Sequence, residues 1–164
     1  MKRSSSAAVL FITAAVLLFA LGGCTVPGPA NRMAPVMQLR ALDGEKVTVP
    51  GQDGRASMVV FWYSACEYCQ AEAPRIQRIF ETYGARGLAV LAVNVHDNPK
   101  IAKRFMRERG LTYPVLLDSD QRATKAYRVV GVPRIFLVDG DGYIVYEDYS
   151  VPADALIRRV LGIE

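Results

Sequence analysis

Two cysteines, Cys66 and Cys69, lie where a buried strand is followed by a helix, and this junction constrains the fold more than any other stretch. Residues 57–62 before it form a short apolar run that is typical of a strand. Residues 70–84 after it carry apolar side chains at helical spacing. The first thiol therefore lies beside unpaired backbone N–H groups and the positive end of the helix dipole, which favour the reactive thiolate. The pattern predicts a dithiol–disulfide redox centre.

Length and charge limit the remaining possibilities. The chain has 164 residues, of which 51% are hydrophobic, enough for one domain with a substantial core. The net charge of +4 includes Lys2 and Arg3, which belong to a segment that we expect to be removed, so +2 remains. A charge so close to neutral does not indicate nucleic acid binding. Three cysteines are too few for a disulfide-stapled scaffold.

The first 23 residues have the pattern of a signal peptide. Lys2 and Arg3 precede an uncharged, mostly apolar run over residues 7–21, which is shorter than the roughly 20 residues of a membrane span. The sequence LGGC at residues 21–24 resembles the lipobox of bacterial lipoproteins, which implies that Cys24 is acylated and holds the protein on a bilayer. The alternative is an uncleaved signal anchor in which Cys24 is buried and inert. Either interpretation places the domain outside the cytoplasm.

Residues 24–35 contain three prolines and a glycine and show no periodicity, so we predict a flexible tether. A tether this short would keep the following domain close to the membrane surface. The domain itself is predicted to cover residues 36–164.

The rest of the chain alternates strands and helices. Asp43-Gly44 joins two β-rich arms over 36–42 and 47–49, and the turn at 139–142 joins strands over 134–138 and 143–149. Further strands are predicted over 88–95 and 115–117, and further helices over 99–109, from a cap at 118–120 to Tyr127, and over 152–161. This order predicts an α/β fold, a central mixed sheet flanked by helices, with a parallel portion and an antiparallel C-terminal hairpin.

These features together resemble the thioredoxin fold and, more narrowly, the membrane-anchored TlpA/ResA family of thiol–disulfide oxidoreductases. The resemblance rests on the strand–Cys66-x-x-Cys69–helix unit, on Pro74 five residues later, and on Gly131-Val132-Pro133 before a strand. The N-terminal β-hairpin and the helix–strand insert over 98–117 belong to that family rather than to thioredoxin itself.

The resemblance implies an enzyme, an extracytoplasmic and membrane-tethered oxidoreductase that reduces disulfides of envelope proteins such as apocytochrome c. The redox-active Cys66–Cys69 pair would serve without a separate cofactor. The implied partners are a membrane dithiol electron donor, oxidised extracytoplasmic proteins, and the lipid bilayer that holds Cys24. We expect a monomer, with neither a bound metal nor a nucleic acid partner.

Catalytic roles can be assigned to three positions. Cys66 is predicted to attack a partner disulfide, and Cys69 to resolve the mixed disulfide. The family carries a glutamate three residues after the second cysteine, and Glu72 occupies that place on the same helix face, as a candidate acid–base if it is buried. The alternative is an ordinary solvated carboxylate of the first helical turns. Glu67 should oppose thiolate formation, and Ala65 stands where the family commonly has tryptophan.

A second set of residues is predicted to contact the substrate. The resemblance implies that the bond before Pro133 is cis and that its loop lies against the cysteine turn, exposing the backbone of Val132 to a substrate chain. The alternative is a trans proline that merely begins a strand. For Trp62, pure core packing is as compatible with the pattern as a place beside the redox turn. The predicted substrate-binding residues are Trp62, Glu67, Tyr68, Val132 and Pro133.

Two other functions use related folds. A Sco-like copper metallochaperone would carry Cys-x-x-x-Cys and a distal histidine, and the two-residue spacing here argues against it. A peroxiredoxin-like thiol peroxidase would carry Pro-x-x-x-Thr-x-x-Cys, which the sequence lacks. A zinc site needs four ligands, whereas Cys66, Cys69 and His96 supply three. His96 is predicted to be a loop or solvated residue.

Overall fold

The strand that leads into the cysteine pair lies inside the sheet and is buried along its whole length. The computed structural model describes residues 32–163. All seven residues of Ala56–Trp62 are buried, as expected for a strand that is covered on both faces. The strand Leu88–Asn94 pairs parallel to it, and six of its seven residues are buried.

Eight strands and four helices make up the described part of the chain. The strands are β1 (Arg32–Met33), β2 (Met37–Ala41), β3 (Lys46–Val49), β4 (Ala56–Trp62), β5 (Leu88–Asn94), β6 (Val115–Leu117), β7 (Arg134–Val138) and β8 (Tyr143–Asp148). The helices are α1 (Glu67–Tyr83), α2 (Pro99–Glu108), α3 (Arg122–Ala126) and α4 (Asp154–Leu161), with a 3-10 turn at Gly84–Arg86. Every element predicted from residue 36 onwards is confirmed, with ends that differ by less than one helical turn.

The strands form one mixed sheet in the order β1-β8-β7-β4-β5-β6-β2-β3. The strands β4, β5 and β6 are parallel to one another, because α1 and α2 carry the chain back between them. All other pairings are antiparallel, including the C-terminal hairpin of β7 and β8. The predicted α/β class and the predicted parallel and antiparallel portions are therefore confirmed.

Side chains alternate across the sheet and produce two separate cores. On one face, Val60 and Trp62 of β4 pack with residues of α1, α2 and α4; we call this the three-helix face. On the other, Val59 and Phe61 pack with α3 and with Tyr127 just after it; we call this the one-helix face. The cysteine pair lies in the core of the three-helix face.

The predicted start of the domain needs a correction. Arg32 and Met33, which were assigned to the flexible tether, form β1 and pair with Ile144 and Tyr143 of β8. The physical reason is the outer edge of β8, whose backbone groups would otherwise lack strand partners. Arg32 also binds Glu147 of β8 at 3.1 Å, which holds this short strand in place.

The predictions for residues 1–31, namely the signal peptide, the acylation of Cys24 and most of the tether, lie outside the described residues. Within residues 32–163, none of the helices is long and apolar enough to cross a membrane.

Candidate active site

Cys66 caps the N-terminus of α1, as predicted. The chain leaves β4 at Trp62, and α1 begins at Glu67, so the cysteine pair lies in the connecting turn and the first turn of the helix. The Sγ atom of Cys66 accepts a hydrogen bond from the backbone N–H of Cys69 at 3.2 Å. The two sulfurs form a disulfide. In the reduced protein, this N–H and the helix dipole would stabilise a thiolate at Cys66.

The two cysteines differ in accessibility. Cys66 is 8% exposed and Cys69 is 3% exposed. An attacking sulfur must be reached by a partner disulfide, whereas a resolving sulfur needs to reach only its neighbour. Both cysteines are buried, so the roles of Cys66 as the attacking thiol and Cys69 as the resolving thiol stay a prediction.

The loop before β7 lies against the cysteine turn. The Val132–Pro133 peptide bond is cis, as the family resemblance implies. The Sγ atom of Cys66 lies 3.5 Å from the carbonyl oxygen of Val132. When Cys66 is a neutral thiol, it can donate a hydrogen bond to this carbonyl. A substrate chain that reaches Cys66 therefore also meets the backbone of this loop.

Trp62 is a predicted substrate contact that the structure does not support, and Pro133 is likewise buried. The Trp62 side chain is 4% exposed and packs on Phe105 of α2, with 5.0 Å between ring centroids. A side chain this buried has almost no surface to offer a partner, so the core-packing alternative describes it. By contrast, Tyr68 is 77% exposed and Glu67 is also exposed, so both can contact a partner.

Glu72 is largely buried, but both of its carboxylate oxygens are engaged. Its Oε1 atom accepts a hydrogen bond from Arg75 at 2.8 Å, and its Oε2 atom accepts one from the backbone N–H of Val151 at 3.1 Å. The side chain is 15% exposed. In this arrangement Glu72 joins α1 to the segment that precedes α4. The solvated alternative is thus excluded, while an acid–base role at Cys69 stays a prediction.

Two exposed side chains beside the proline loop carry no sequence signal of a functional role. Val130 is 92% exposed and Tyr149 is 51% exposed, both unusually high for apolar side chains of this size. The ring of Tyr149 lies 3.8 Å from where a Cβ of Gly131 would be, so it flanks the loop that touches Cys66. Tyr68 precedes Cys69, Val130 lies two residues before Val132, and Tyr149 lies beside Gly131; we call these three exposed side chains the apolar rim of the site. No local pattern marks Val130 or Tyr149, because the sheet alone brings β8 beside this loop.

Ion pairs lie next to Tyr149 and hold the strands around it together. Arg134, directly after the cis proline, binds Glu147 at 2.6 Å, and its guanidinium lies 4.6 Å from the centroid of the Tyr149 ring. Arg32 binds the other oxygen of Glu147. Burial alone would raise the pKa of the Glu147 carboxyl, but the hydrogen bonds from both arginines hold it below its ordinary value of 4.5. The network ties β1, β7 and β8 together beneath Tyr149.

His96 has a structural place in the loop after β5. Its ring packs against Tyr63, with 5.7 Å between centroids, and its backbone N–H donates to Asn94 at 3.3 Å. Its predicted loop role is compatible with these contacts. Among residues 32–163, no group of three His, Cys, Asp or Glu side chains is arranged to hold a metal ion.

The comparisons with known proteins agree with this geometry. The model of the AhpC/TSA family matches residues 30–147. The thiol–disulfide oxidoreductase ResA of Bacillus subtilis (strain 168) is 30% identical over 130 residues, which are 79% of this chain and 73% of that protein. ResA of Bacillus thuringiensis subsp. konkukian is 27% identical over 117 residues, 71% of this chain and 68% of that protein.

Solved structures share the fold. A putative thiol:disulfide interchange protein DsbE from Chlorobium tepidum has a TM-score of 0.71 and 26% identity, and the match covers 82% of this chain and 97% of that one. StoA from Bacillus subtilis has a TM-score of 0.66 and 23% identity, covering 77% of this chain and 96% of that one.

A mixed sheet that presents a cysteine pair at a helix N-terminus, opposite a cis-proline loop, defines the class of thioredoxin-fold disulfide oxidoreductases. The chain belongs to the AhpC/TSA family and, within it, is a ResA-like thiol–disulfide oxidoreductase. The predicted family resemblance and the predicted enzymatic activity are thereby confirmed.

Proposed function

We propose that this protein acts outside the cytoplasm, tethered to a membrane through acylated Cys24, and reduces disulfides of envelope proteins such as apocytochrome c. The observation that carries the proposal is the position of Cys66, at the N-terminus of α1 and 3.5 Å from the Val132 carbonyl. The similarity to proteins named thiol–disulfide oxidoreductases supports it over a copper-binding or peroxidase function. The LGGC sequence at residues 21–24 supports the tether.

The reaction proceeds through two disulfide exchanges. The Cys66 thiolate attacks one sulfur of the substrate disulfide, the S–S bond of the substrate breaks, and its other sulfur leaves as a thiolate. Cys69, after losing its proton, attacks Cys66 Sγ, which releases the second substrate thiolate and forms the Cys66–Cys69 disulfide. The substrate gains two electrons, and the enzyme is oxidised. A membrane dithiol donor would return the electrons by the reverse exchange.

The chain supplies specific assistance to each step. The N–H of Cys69 and the helix dipole stabilise the Cys66 thiolate, both before attack and when it is the leaving group. Glu72 could accept the proton of Cys69 if its hydrogen bond to Val151 opens. The rim of Tyr68, Val130 and Tyr149 would contact apolar side chains on either side of the substrate cysteine.

A trapping experiment tests the proposed reaction. Full-length Cys69→Ser protein is reduced and mixed with purified oxidised apocytochrome c; it should accumulate a mixed disulfide, which mass spectrometry locates at Cys66. The matched Cys66→Ser variant retains one thiol of the pair and should accumulate far less. No adduct with Cys69→Ser, or equal adducts with both variants, would rule out the assigned roles.

The tether needs a separate test. The mature protein should have a mass that lacks residues 1–23 and includes acyl chains, and Cys24→Ala should leave the membrane fraction. An intact Met1 in the mature protein would exclude the acylated form. This outcome would leave the exchange chemistry untouched.

A further inference from the structure

Ser64, two residues before Cys66, has each of its polar groups held by a side chain from elsewhere in the fold. Its backbone N–H donates to Asp97 Oδ2 at 2.7 Å, and its hydroxyl donates to Asp97 Oδ1 at 2.8 Å. Its carbonyl accepts a hydrogen bond from Gln70 Nε2 at 2.8 Å. We call the two bonds between Ser64 and Asp97 the Ser64–Asp97 clamp. A charged acceptor that takes two bonds from one residue restrains it in both position and direction.

The clamp is anchored in the sheet. Asp97 Oδ2 accepts a second bond from Asn94 Nδ2 at 2.8 Å, and the N–H of Asp97 donates to Asn94 Oδ1 at 2.8 Å. Asn94 is the last residue of β5, is 2% exposed, and pairs with Trp62, the last residue of β4. On the other side of the turn, Gln70 is held by Arg109 at 2.9 Å. The turn before Cys66 is therefore connected to the rigid middle of the sheet.

The clamp matters because the side chain of Ala65, next to Ser64, does little to hold the turn in place. Ala65 is exposed and has no large side chain that could wedge the turn against the core. The backbone N–H of Cys66 bonds to the carbonyl of Tyr63 at 3.3 Å, which keeps the turn closed but is itself local. The clamp links this turn, through Asp97, to Asn94 at the end of β5.

We propose that Asp97 is a positioning residue of the redox centre, which acts through Ser64 to hold Cys66 where Cys69 can close the disulfide. The proposal deepens the exchange function and rests on it. With the clamp intact, the reduced pair stays close and Cys69 has a high effective concentration toward Cys66. Without it, the reduced turn samples more conformations, and closing the disulfide costs more entropy.

The fold contains a matched control on the one-helix face. Asp118 is fully buried and accepts the same kinds of hydrogen bond, from the N–H of Ala123 at 2.9 Å and from the N–H and hydroxyl of Thr124 at 2.8 and 2.7 Å. Its carboxylate holds the start of α3, while its backbone N–H donates to the carbonyl of Asn94 at 2.9 Å, a bond that Asp118→Asn leaves in place. Replacing either aspartate by asparagine should cost comparable stability, because each loses charged acceptors of backbone and hydroxyl donors.

The roles of the two aspartates are separated by measuring the equilibrium constant for oxidation of the Cys66–Cys69 dithiol by glutathione disulfide. We expect Asp97→Asn, in the full-length protein, to lower this constant about tenfold, which corresponds to about 30 mV for a two-electron couple. We expect Asp118→Asn to leave it within twofold of the wild-type value. Alkylation of Cys66 by iodoacetamide at high pH, where the thiol is fully ionised, should differ little between the three proteins.

Two further variants separate position from charge. Ser64→Ala removes the hydroxyl bond but keeps the Asp97 carboxylate, and should lower the constant in the same direction by a smaller factor. Ser64→Thr retains the hydroxyl and should keep the equilibrium constant close to the wild-type value. The proposal is overturned if the constant is unchanged in both Asp97→Asn and Ser64→Ala, or if Asp118→Asn lowers it equally. Should Asp97→Asn fail to fold, an unchanged constant in Ser64→Ala is enough to overturn it.

Discussion

The two faces of the sheet are built from the same strands but serve different ends. On the three-helix face, Cys66 lies between the N-terminus of α1 and the loop before β7, and Asp97 binds Ser64 two residues earlier in the turn. On the one-helix face, the same β4 contributes Phe61 to an aromatic cluster with Tyr127 and Phe136. Alternation along a single strand thus separates the redox site from a core that contributes stability.

The disulfide lies in the core of the three-helix face, whereas the aromatic cluster lies in the core of the one-helix face. Variants on the two faces should therefore separate activity from stability.

The largest expected effect comes from emptying the aromatic cluster. Phe136 is fully buried, and Phe136→Ala should lower the free energy of unfolding by about 3–5 kcal/mol, because it removes apolar contacts and leaves a cavity. Denaturant unfolding would measure the loss. The folded fraction should retain the wild-type rate of disulfide exchange; a slower rate at full folding would show that the two faces are coupled.

A smaller effect is expected at the rim of the redox site. Tyr149→Ala removes an exposed ring beside Gly131 and should raise the KM for a protein disulfide about three- to tenfold, with little change for a small disulfide. Steady-state kinetics with both substrates would show it. Tyr143→Ala is the matched control, since Tyr143 lies at the other end of β8 and pairs with Met33. Equal changes in both variants would contradict a docking role for Tyr149.

The ion pairs beneath the rim should make stability depend on pH. The pKa of Glu147 is lowered in the folded protein by Arg134 and Arg32, against the effect of burial. Its contribution is therefore present above pH 4.5, the ordinary value, and is lost as the pH falls through the folded value. Glu147→Gln should cost about 1 kcal/mol at neutral pH and flatten the loss of stability in acid.

Chemical denaturation between pH 3 and pH 7 would measure this contribution. Glu45→Gln, an exposed carboxyl in the turn between β2 and β3, is the comparison variant. If the two variants have the same pH profile of stability, the network does not hold β1 and β8 together as inferred.

The smallest effect concerns the hydroxyl of Tyr127. This group is buried and has no hydrogen-bond partner among residues 32–163, and burial raises the pKa of the phenol. Tyr127→Phe keeps the ring in the aromatic cluster and removes an unsatisfied polar atom, so the free energy of unfolding should stay the same or rise by about 1 kcal/mol. A clear loss of stability in thermal unfolding would show that the hydroxyl has a partner.

Most of the fold could be predicted from the sequence, because the signals are local. The apolar run over β4, the Asp43-Gly44 turn and the turn at 139–142 each specify their own element within a few residues. The position of Cys66 as the helix cap follows in the same way. The missed strand β1 has only two residues and acquires its partner from β8, more than a hundred residues later.

The candidate site was predictable in its chemistry and less so in its surroundings. Cys66, Cys69 and the cis Pro133 were identified from motifs. The burial of Trp62 and the partners of Glu72 depend on how α2 and the β8–α4 segment pack against α1. No sequence pattern reports those contacts, since they join elements that are distant in the chain.

The sequence by itself determined the alternation of strands and helices, the reactive cysteine pair at a helix N-terminus and the redox class, because each depends on neighbouring residues. The tertiary structure alone decided that Asp97 binds Ser64, 33 residues earlier in the chain, that Tyr149 lies beside Gly131, and that Trp62 is buried in the core. Those relations are set by the order of strands in the sheet, which brings together the ends of segments that share no local signal.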